Sequence, residues 1–211
     1  MFAGIDPVLM NEKSAGMKDA DALRGQLWKP TPNQRRSALL PFFWGTLAAQ
    51  GRVFGNRSLG SAASVANRHR ISYPGYAEIL TGRAQDQAIQ GNAKVRNPTP
   101  TLPQFLKRHW NLSKEQTAIF GSWDMFTYMG ENRPGDIYIN CGYDPSTLPA
   151  GSARVTELNR QQRRALYIAD SVRHDAFTFD LAMEYLCGVR PRFLHIALGE
   201  TDDWAHDRRY D

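Results

Sequence analysis

Residues Arg192–His206 read RFLHIALGETDDWAH. The first seven, RFLHIAL, are an apolar run of strand length, and the stretch ETDDWAH from Glu200 then switches abruptly to acids and a histidine. Such a run reads as a buried strand. In an open α/β sheet, ligands sit outside the carboxyl ends of the strands, so the segment after Leu198 is a candidate site. Asp202 and His206 are four positions apart. On a helical turn this spacing aims a carboxylate oxygen and an imidazole nitrogen at one point, a pair suited to Zn²⁺ or Mn²⁺. No thiolate is near, which argues against a closed structural zinc. The competing reading is a helix start, with Thr201, Asp202 or Asp203 as the cap and His206 in water.

Working outward, the chain alternates helical and extended patterns. PNQRRSALLPFFWGTLAAQ (32–50) has apolar residues at helical spacing, with Pro41 set to kink or delay the helix. GRVFGN (51–56) is a short strand candidate. YPGYAEILTG (73–82) reads as a short helix closed by Gly82. NPTPTLPQFLKRHW (97–110) is a Pro-rich loop entering a helix, and TAIFGSW (117–123) is a buried strand. NRPGDIYINCGYDPSTLPAGS (132–152) is rich in turn residues and predicts a surface excursion. ELNRQQRRALYIAD (157–170) and SVRHDAFTFDLAMEYLCG (171–188) are amphipathic helices, the second closed by Gly188. Everything before Pro32 reads as an irregular lead-in. Helices interleaved with strands predict an α/β fold, a three-layer α/β/α sandwich with a largely parallel central sheet, in one domain over residues 1–211.

Composition narrows the function classes. The 211 residues carry 26 Lys and Arg against 21 Asp and Glu, a net charge of +5. The basic residues are scattered rather than arranged as a stripe interleaved with aromatics, which argues against a nucleic-acid groove. No apolar run approaches membrane-spanning length, and MFAGIDPVLMNEK lacks the regions of a signal peptide. Cys141 and Cys187 have no metal-binding spacing and read either as a pair or as two thiols.

The second candidate segment is NRHRISYPGYAEILTG (67–82), read as a strand-to-helix turn carrying Ser72. One reading makes Ser72 a cap with Pro74 in the first turn. The other uses the same geometry chemically: a hydroxyl at a helix start faces free N–H groups that favour a phosphoryl group. A serine needs a base or a metal to become a nucleophile. His69 is the nearest histidine but is flanked by arginines, so metal activation is the more coherent option and ties Ser72 to Asp202 and His206.

Together, SYPGYAEILTG, the IQGN segment, FGSWDMF and ETDDWAH, in this order, resemble the alkaline phosphatase superfamily, in its nucleotide pyrophosphatase/phosphodiesterase and phosphoglycerate mutase-like branch. In that family a Thr or Ser before an aromatic–Pro pair starts a helix ending in Thr-Gly, here Ser72, Tyr73–Pro74 and Thr81–Gly82. The resemblance implies that Ser72 is the nucleophile, that Asn92 contacts the transferring phosphoryl oxygens, and that Asp202 and His206 are metal ligands with Asp203 beside them. It implies two divalent metals, zinc first and manganese second, with Ser72 itself touching one. The substrate implied is a small phosphate ester, hydrolysed through a phosphoserine. A periplasmic or secreted location is the family's tendency. A sulfatase fits less well, because Tyr76 stands where that branch places an arginine.

The family also has an aspartate at a strand end just before a phrase like FAGIDPVLM, and an Asp-His pair and a further histidine after Asp-x-x-x-His. Asp6 is misplaced for the first role, and the others find no counterpart before Asp211. The resemblance thus implies a domain incomplete at both ends, with weak metal binding and little turnover. A non-catalytic metal-binding fragment and a basic binding module are the rival readings. Tyr73, Tyr76 and Trp123 are either stacking surfaces for a substrate or part of the core.

Overall fold

The structure is a computed structural model and describes residues 29–166 and 171–207. The lead-in through Trp28 with Asp6, the end of the helix expected over 157–170, and Arg208–Arg209 lie outside the described residues. Two compact units are distinguished, Met1–Ser64 with Trp204–Asp211, and Val65–Asp203.

In the smaller unit, α1 spans Pro32–Leu39. Thr31 Oγ1 accepts from Gln34 N–H while the Gln34 side chain accepts from Thr31 N–H, so two unpaired donors of the helix start are satisfied at once. The helical spacing over 32–50 is present but interrupted. Leu40 leaves helical geometry before Pro41, and the chain resumes as a π-helical turn, Phe43–Leu47, followed by Ala48–Gln50. GRVFGN is not a strand: Gly55 has φ +91°, and the segment has no strand to pair with among the described residues.

The larger unit is an α/β fold around a three-stranded, all-parallel sheet of order β2-β1-β3. β1 is Thr117–Gly121, β2 is Tyr138–Cys141 and β3 is Phe193–Ala197. The helices are α2 (Ser72–Thr81), α3 (Leu102–His109), α4 (Phe126–Met129), α5 (Ala153–Gln162), α6 (Asp175–Val189) and α7 (Glu200–His206). No described helix is long and apolar enough to cross a membrane.

Every residue of the central strand β1 is buried, and its alternation sorts two cores. Ile119 packs with Tyr73, Ala77 and Leu80 of α2 and with Phe126 and Met129 of α4. Ala118 and Phe120 face the other way, toward Leu158 of α5 and Leu181, Ala182 and Tyr185 of α6. Helices thus cover both faces. Tyr138 and Tyr185 stack at 4.8 Å, with Phe120 edge-on to Tyr185 at 5.1 Å. Gly121 closes β1 where any side chain would strike the Phe126 ring.

The structure differs from the sequence reading at four further places. Residues 132–152, expected as a surface excursion, contain β2, with Ile137 and Cys141 each 1% exposed. Its short apolar run is hidden in the sequence by the turn residues on both sides. No strand precedes Ser72; the N–H groups of Ala66 and Asn67 go to the Glu78 carboxylate and that of Arg68 to Asp86, so these three are spent on side chains rather than on a ladder. Gly188 does not close α6, which runs on to Val189 and turns at Arg190 with φ +55°. Gly188 instead makes room for Pro149, which a Cβ would meet at 2.6 Å. Finally, α5 ends at Gln162, short of the expected end.

Candidate functional site

Ser72 is the first residue of α2, and the position before it is taken by Ile71, whose side chain offers no cap. The capping role read for Ser72 therefore does not apply. Its residue is exposed, and no hydrogen bond among the described residues engages its hydroxyl. The segment feeding this helix is held from behind. Glu78, one and a half turns into α2, accepts from Ala66 N–H (2.7 Å), Asn67 N–H (2.9 Å) and Asn67 Nδ2 (2.7 Å). Those bonds hold its carboxyl below the usual range. Asn67 is 1% exposed, and its Oδ1 accepts from the N–H of Arg70, which has φ +51°. A left-handed residue two positions before the helix turns the chain into Ser72.

Asn92 comes to the same helix start across 19 positions. Its Oδ1 accepts the Tyr73 N–H at 2.9 Å. This fixes which end of the amide faces Tyr73, because an N–H can be met only by the oxygen. Pro74 has no N–H, and Gly75 N–H already returns to Ile71 O at 3.0 Å. The Asn92 amide thus meets α2 at the residue that follows Ser72.

Tyr73 is fully buried and donates its hydroxyl to Val95 O at 2.7 Å; burial pushes its pKa up to about 12. It is a core residue. Tyr76 lies one turn on from Ser72 on the same side of α2 and packs edge-on against Phe126 at 5.0 Å. Its phenol is pushed up first by burial and then by the negative charges of Asp202 and Asp175. Those carboxylates therefore lie within electrostatic reach of Tyr76. Trp123 is half-buried and bridges to Val172.

Asp202 and His206 both lie in α7, Asp202 in the larger unit and His206 at the end that belongs to the smaller one. Thr201, Asp202 and Asp203 are all inside the helix, so none of them caps it. That role falls to Asp175, whose Oδ1 accepts from Gly199 N–H (2.7 Å) and whose Oδ2 accepts from Glu200 N–H (3.1 Å). Glu200 returns the favour, accepting Asp175 N–H at the start of α6 (2.7 Å). Ser122 Oγ donates to Asp175 Oδ1 at 2.6 Å. His174 places Nδ1 at 3.1 Å from Glu200 Oε1 and Nε2 at 2.7 Å from Leu166 O. Both partners are acceptors, so the ring is satisfied only as imidazolium, and its pKa is raised, first by the Leu166 carbonyl. Beneath this layer Arg173 is fully buried among Asn140, Thr178 and Gln162; desolvation lowers its pKa to about 10.

Residue reading alone missed Lys94 and Asp124. Lys94, two positions past Asn92, places Nζ at 2.7 Å from Asp124 Oδ2 just beyond the end of β1. An acidic residue three positions past a fully buried strand was the available signal for Asp124. Cys141 and Cys187 are both free; Cys187 is exposed, and burial pushes the Cys141 thiol up. Among the described residues no three His, Cys, Asp or Glu side chains gather so as to hold a metal ion. Comparison with family models, with curated proteins and with solved structures finds no match to this chain.

Proposed function

We propose that the protein is a hydrolase of phosphate esters that works through a phosphoserine at Ser72. The observation that carries the reading is the start of α2: an exposed hydroxyl with no partner, beside an Asn92 amide whose orientation is fixed by Tyr73 N–H. The resemblance of SYPGYAEILTG and ETDDWAH to the alkaline phosphatase superfamily supports it.

In the proposed reaction Ser72 Oγ attacks phosphorus in line. The Ser–O–P bond forms, the ester O–P bond breaks, and the leaving oxygen departs opposite as the alcohol, taking up the proton that the Ser72 hydroxyl gives up. Water then attacks the phosphoserine and frees inorganic phosphate and Ser72. The equatorial oxygens gain charge at each step, and the Asn92 Nδ2 and Ser72 N–H groups are the donors proposed for them; one such donor is worth about 3 kcal/mol. Two divalent metals, zinc or manganese, with Asp202, His206 and Ser72 among their contacts, belong to the proposal through the resemblance. A catalytic zinc takes three protein ligands, and the described residues do not gather three. They do not fit a complete metal site.

The decisive experiment is Ser72→Ala, assayed on an aryl phosphate monoester and diester, with acid-quench mass spectrometry for phosphoserine. Turnover should vanish and the phosphopeptide containing Ser72 should be lost. Retention of more than roughly a tenth of wild-type turnover rules Ser72 out as nucleophile. Titration with Zn²⁺ and Mn²⁺ should show weak binding; tight binding of two ions would place ligands outside Asp202 and His206.

A further inference from the structure

We propose that the outer face of α3, with the turn 132–136 beside it, docks the protein on an anionic lipid surface. The inference goes beyond the hydrolase reading and does not depend on Ser72. α3 turns Pro103 and Gln104 into the larger unit, where both are buried. Its other side is built differently. Leu102, Phe105 and His109 recur at i, i+3 and i+7 and so share one stripe. The Phe105 ring stacks on the His109 imidazole at 5.5 Å. Leu102 is 45% exposed and Phe105 53%, and Trp110, which ends the helix, is 49% exposed. Single apolar residues on a surface need no explanation; three on one short helix and its end form a patch that does.

Cations frame this patch. Gln104 and Lys107 tie the turn 132–136 to the helix. Gln104 Nε2 donates to Asn132 Oδ1 at 2.9 Å and to Asp136 Oδ2 at 2.8 Å, and Lys107 Nζ donates to Asp136 Oδ1 at 3.0 Å. Arg108, four positions after Gln104 and three after Phe105, stands between the turn and the apolar stripe. Arg133 belongs to the turn, and Lys114 Nζ lies 4.0 Å from where a Cβ on Gly135 would stand. Arg108, Lys114 and Arg133 are exposed, and among the described residues no hydrogen bond or ion pair engages their side chains. The neighbouring acids are committed. Asp136 is spent on Gln104 and Lys107, and Glu131, 5% exposed, accepts the N–H groups of Gly135, Asp136 and Ile137. Glu115 is half-buried, and its charge reaches Tyr185. A lipid surface uses all of these features at once: its phosphates take the guanidinium and ammonium groups, and the indole, the phenyl ring and Leu102 enter the boundary between headgroups and chains. Nucleic acid would use the cations and the rings and leave Leu102 in water.

The test is sedimentation of the full chain with sucrose-loaded vesicles of phosphatidylcholine, alone or mixed with phosphatidylglycerol. The chain should pellet with the mixed vesicles, come off as salt rises, and stay in solution with phosphatidylcholine alone. Arg108→Gln, Lys114→Gln and Arg133→Gln combined should weaken binding about a hundredfold, roughly fivefold for each basic residue near the surface. Phe105→Ser with Trp110→Ser should weaken it by roughly tenfold or more. Acyl chains carrying bromine should quench tryptophan fluorescence in the wild type and not in Trp110→Phe, a readout that needs no loss of the fold. Failure to pellet, equal pelleting with both vesicles, or undiminished binding of the charge variant overturns the inference. Retention of single-stranded DNA without vesicle binding, lost in the charge variant, assigns the patch to nucleic acid and also overturns it. Self-association without vesicle binding, lost in Phe105→Ser, assigns it to a second copy with the same consequence. None of these outcomes bears on Ser72→Ala, so the two readings fail separately.

Discussion

Apart from the one-turn helix α4, whose start has no side-chain cap, the helix starts of the larger unit fall into two groups. At α5, Ser152 Oγ accepts Val155 N–H at 3.2 Å; at α6 and α7, Glu200 and Asp175 exchange carboxylates. The start of α2 has no cap from its own neighbourhood; its single side-chain partner, Asn92, arrives from 19 positions away. Where a start serves the fold, the chain closes it with a local hydroxyl or an anion. Where the Ser72 hydroxyl sits, the chain brings a neutral amide and no negative charge. A carboxylate cap in that place would satisfy the helix equally well and repel a phosphoryl group.

The largest effect should come from Asp175→Ala. This change removes the acceptor for Ser122 Oγ, Gly199 N–H and Glu200 N–H together, and should cost about 3 kcal/mol of unfolding free energy in urea titration. A loss below roughly 1 kcal/mol would mean that water replaces the cap and that the two groups of helix starts are not distinct. Next, Ser152→Ala should cost about 1 kcal/mol, the ordinary value for a single lost cap.

A pH dependence should follow from His174. Its folded pKa is raised, so the stability it contributes is complete below the ordinary histidine value near about 6.5 and is lost as pH rises through the folded value. The melting temperature should fall over that window in the wild type and stay flat in His174→Ala. A wild-type profile without that decline would show that one of the two acceptors is not engaged. The smallest effect sharpens the comparison most: Ser72→Ala should shift stability by less than about 0.5 kcal/mol, since no hydrogen bond of the fold uses its hydroxyl. A larger loss would make Ser72 a structural residue.

What could be read from the sequence follows from the range of the forces involved. TAIFG and FLHIA are dominated by apolar residues, interrupted only by Thr117 and His195, and became β1 and β3. Gly82 announced the end of α2 and has the left-handed φ of +73° that such an end requires. β2 was illegible because the four residues YINC are flanked by turn formers, and only the pairing of Ile139 with Ile119 and its neighbours makes them a strand. GRVFGN misled for the opposite reason, apolar residues without a partner strand. At the site, Ser72, Asn92 and Asp202 were marked by short-range pattern and resemblance. Lys94 and Asp124 are 30 positions apart and meet only once β1 and the 92–95 loop are in place. The reciprocal caps had been misread locally, because Thr201, Asp202 and Asp203 look like caps until Asp175 is seen to occupy that role.

The exchange between Asp175 and Glu200 also governs how the molecule opens. α7 has seven residues, too few to persist alone in water. Its first N–H groups depend on a carboxylate at the start of α6, and that start depends in turn on the first residue of α7. Fraying of either removes the other's cap, so the two should open together rather than one after the other. In native-state hydrogen exchange, the amides of Asp175, Gly199 and Glu200 should report a single opening free energy although 25 residues separate them. Glu200→Ala should then speed exchange at Gly199, an amide to which Glu200 makes no bond.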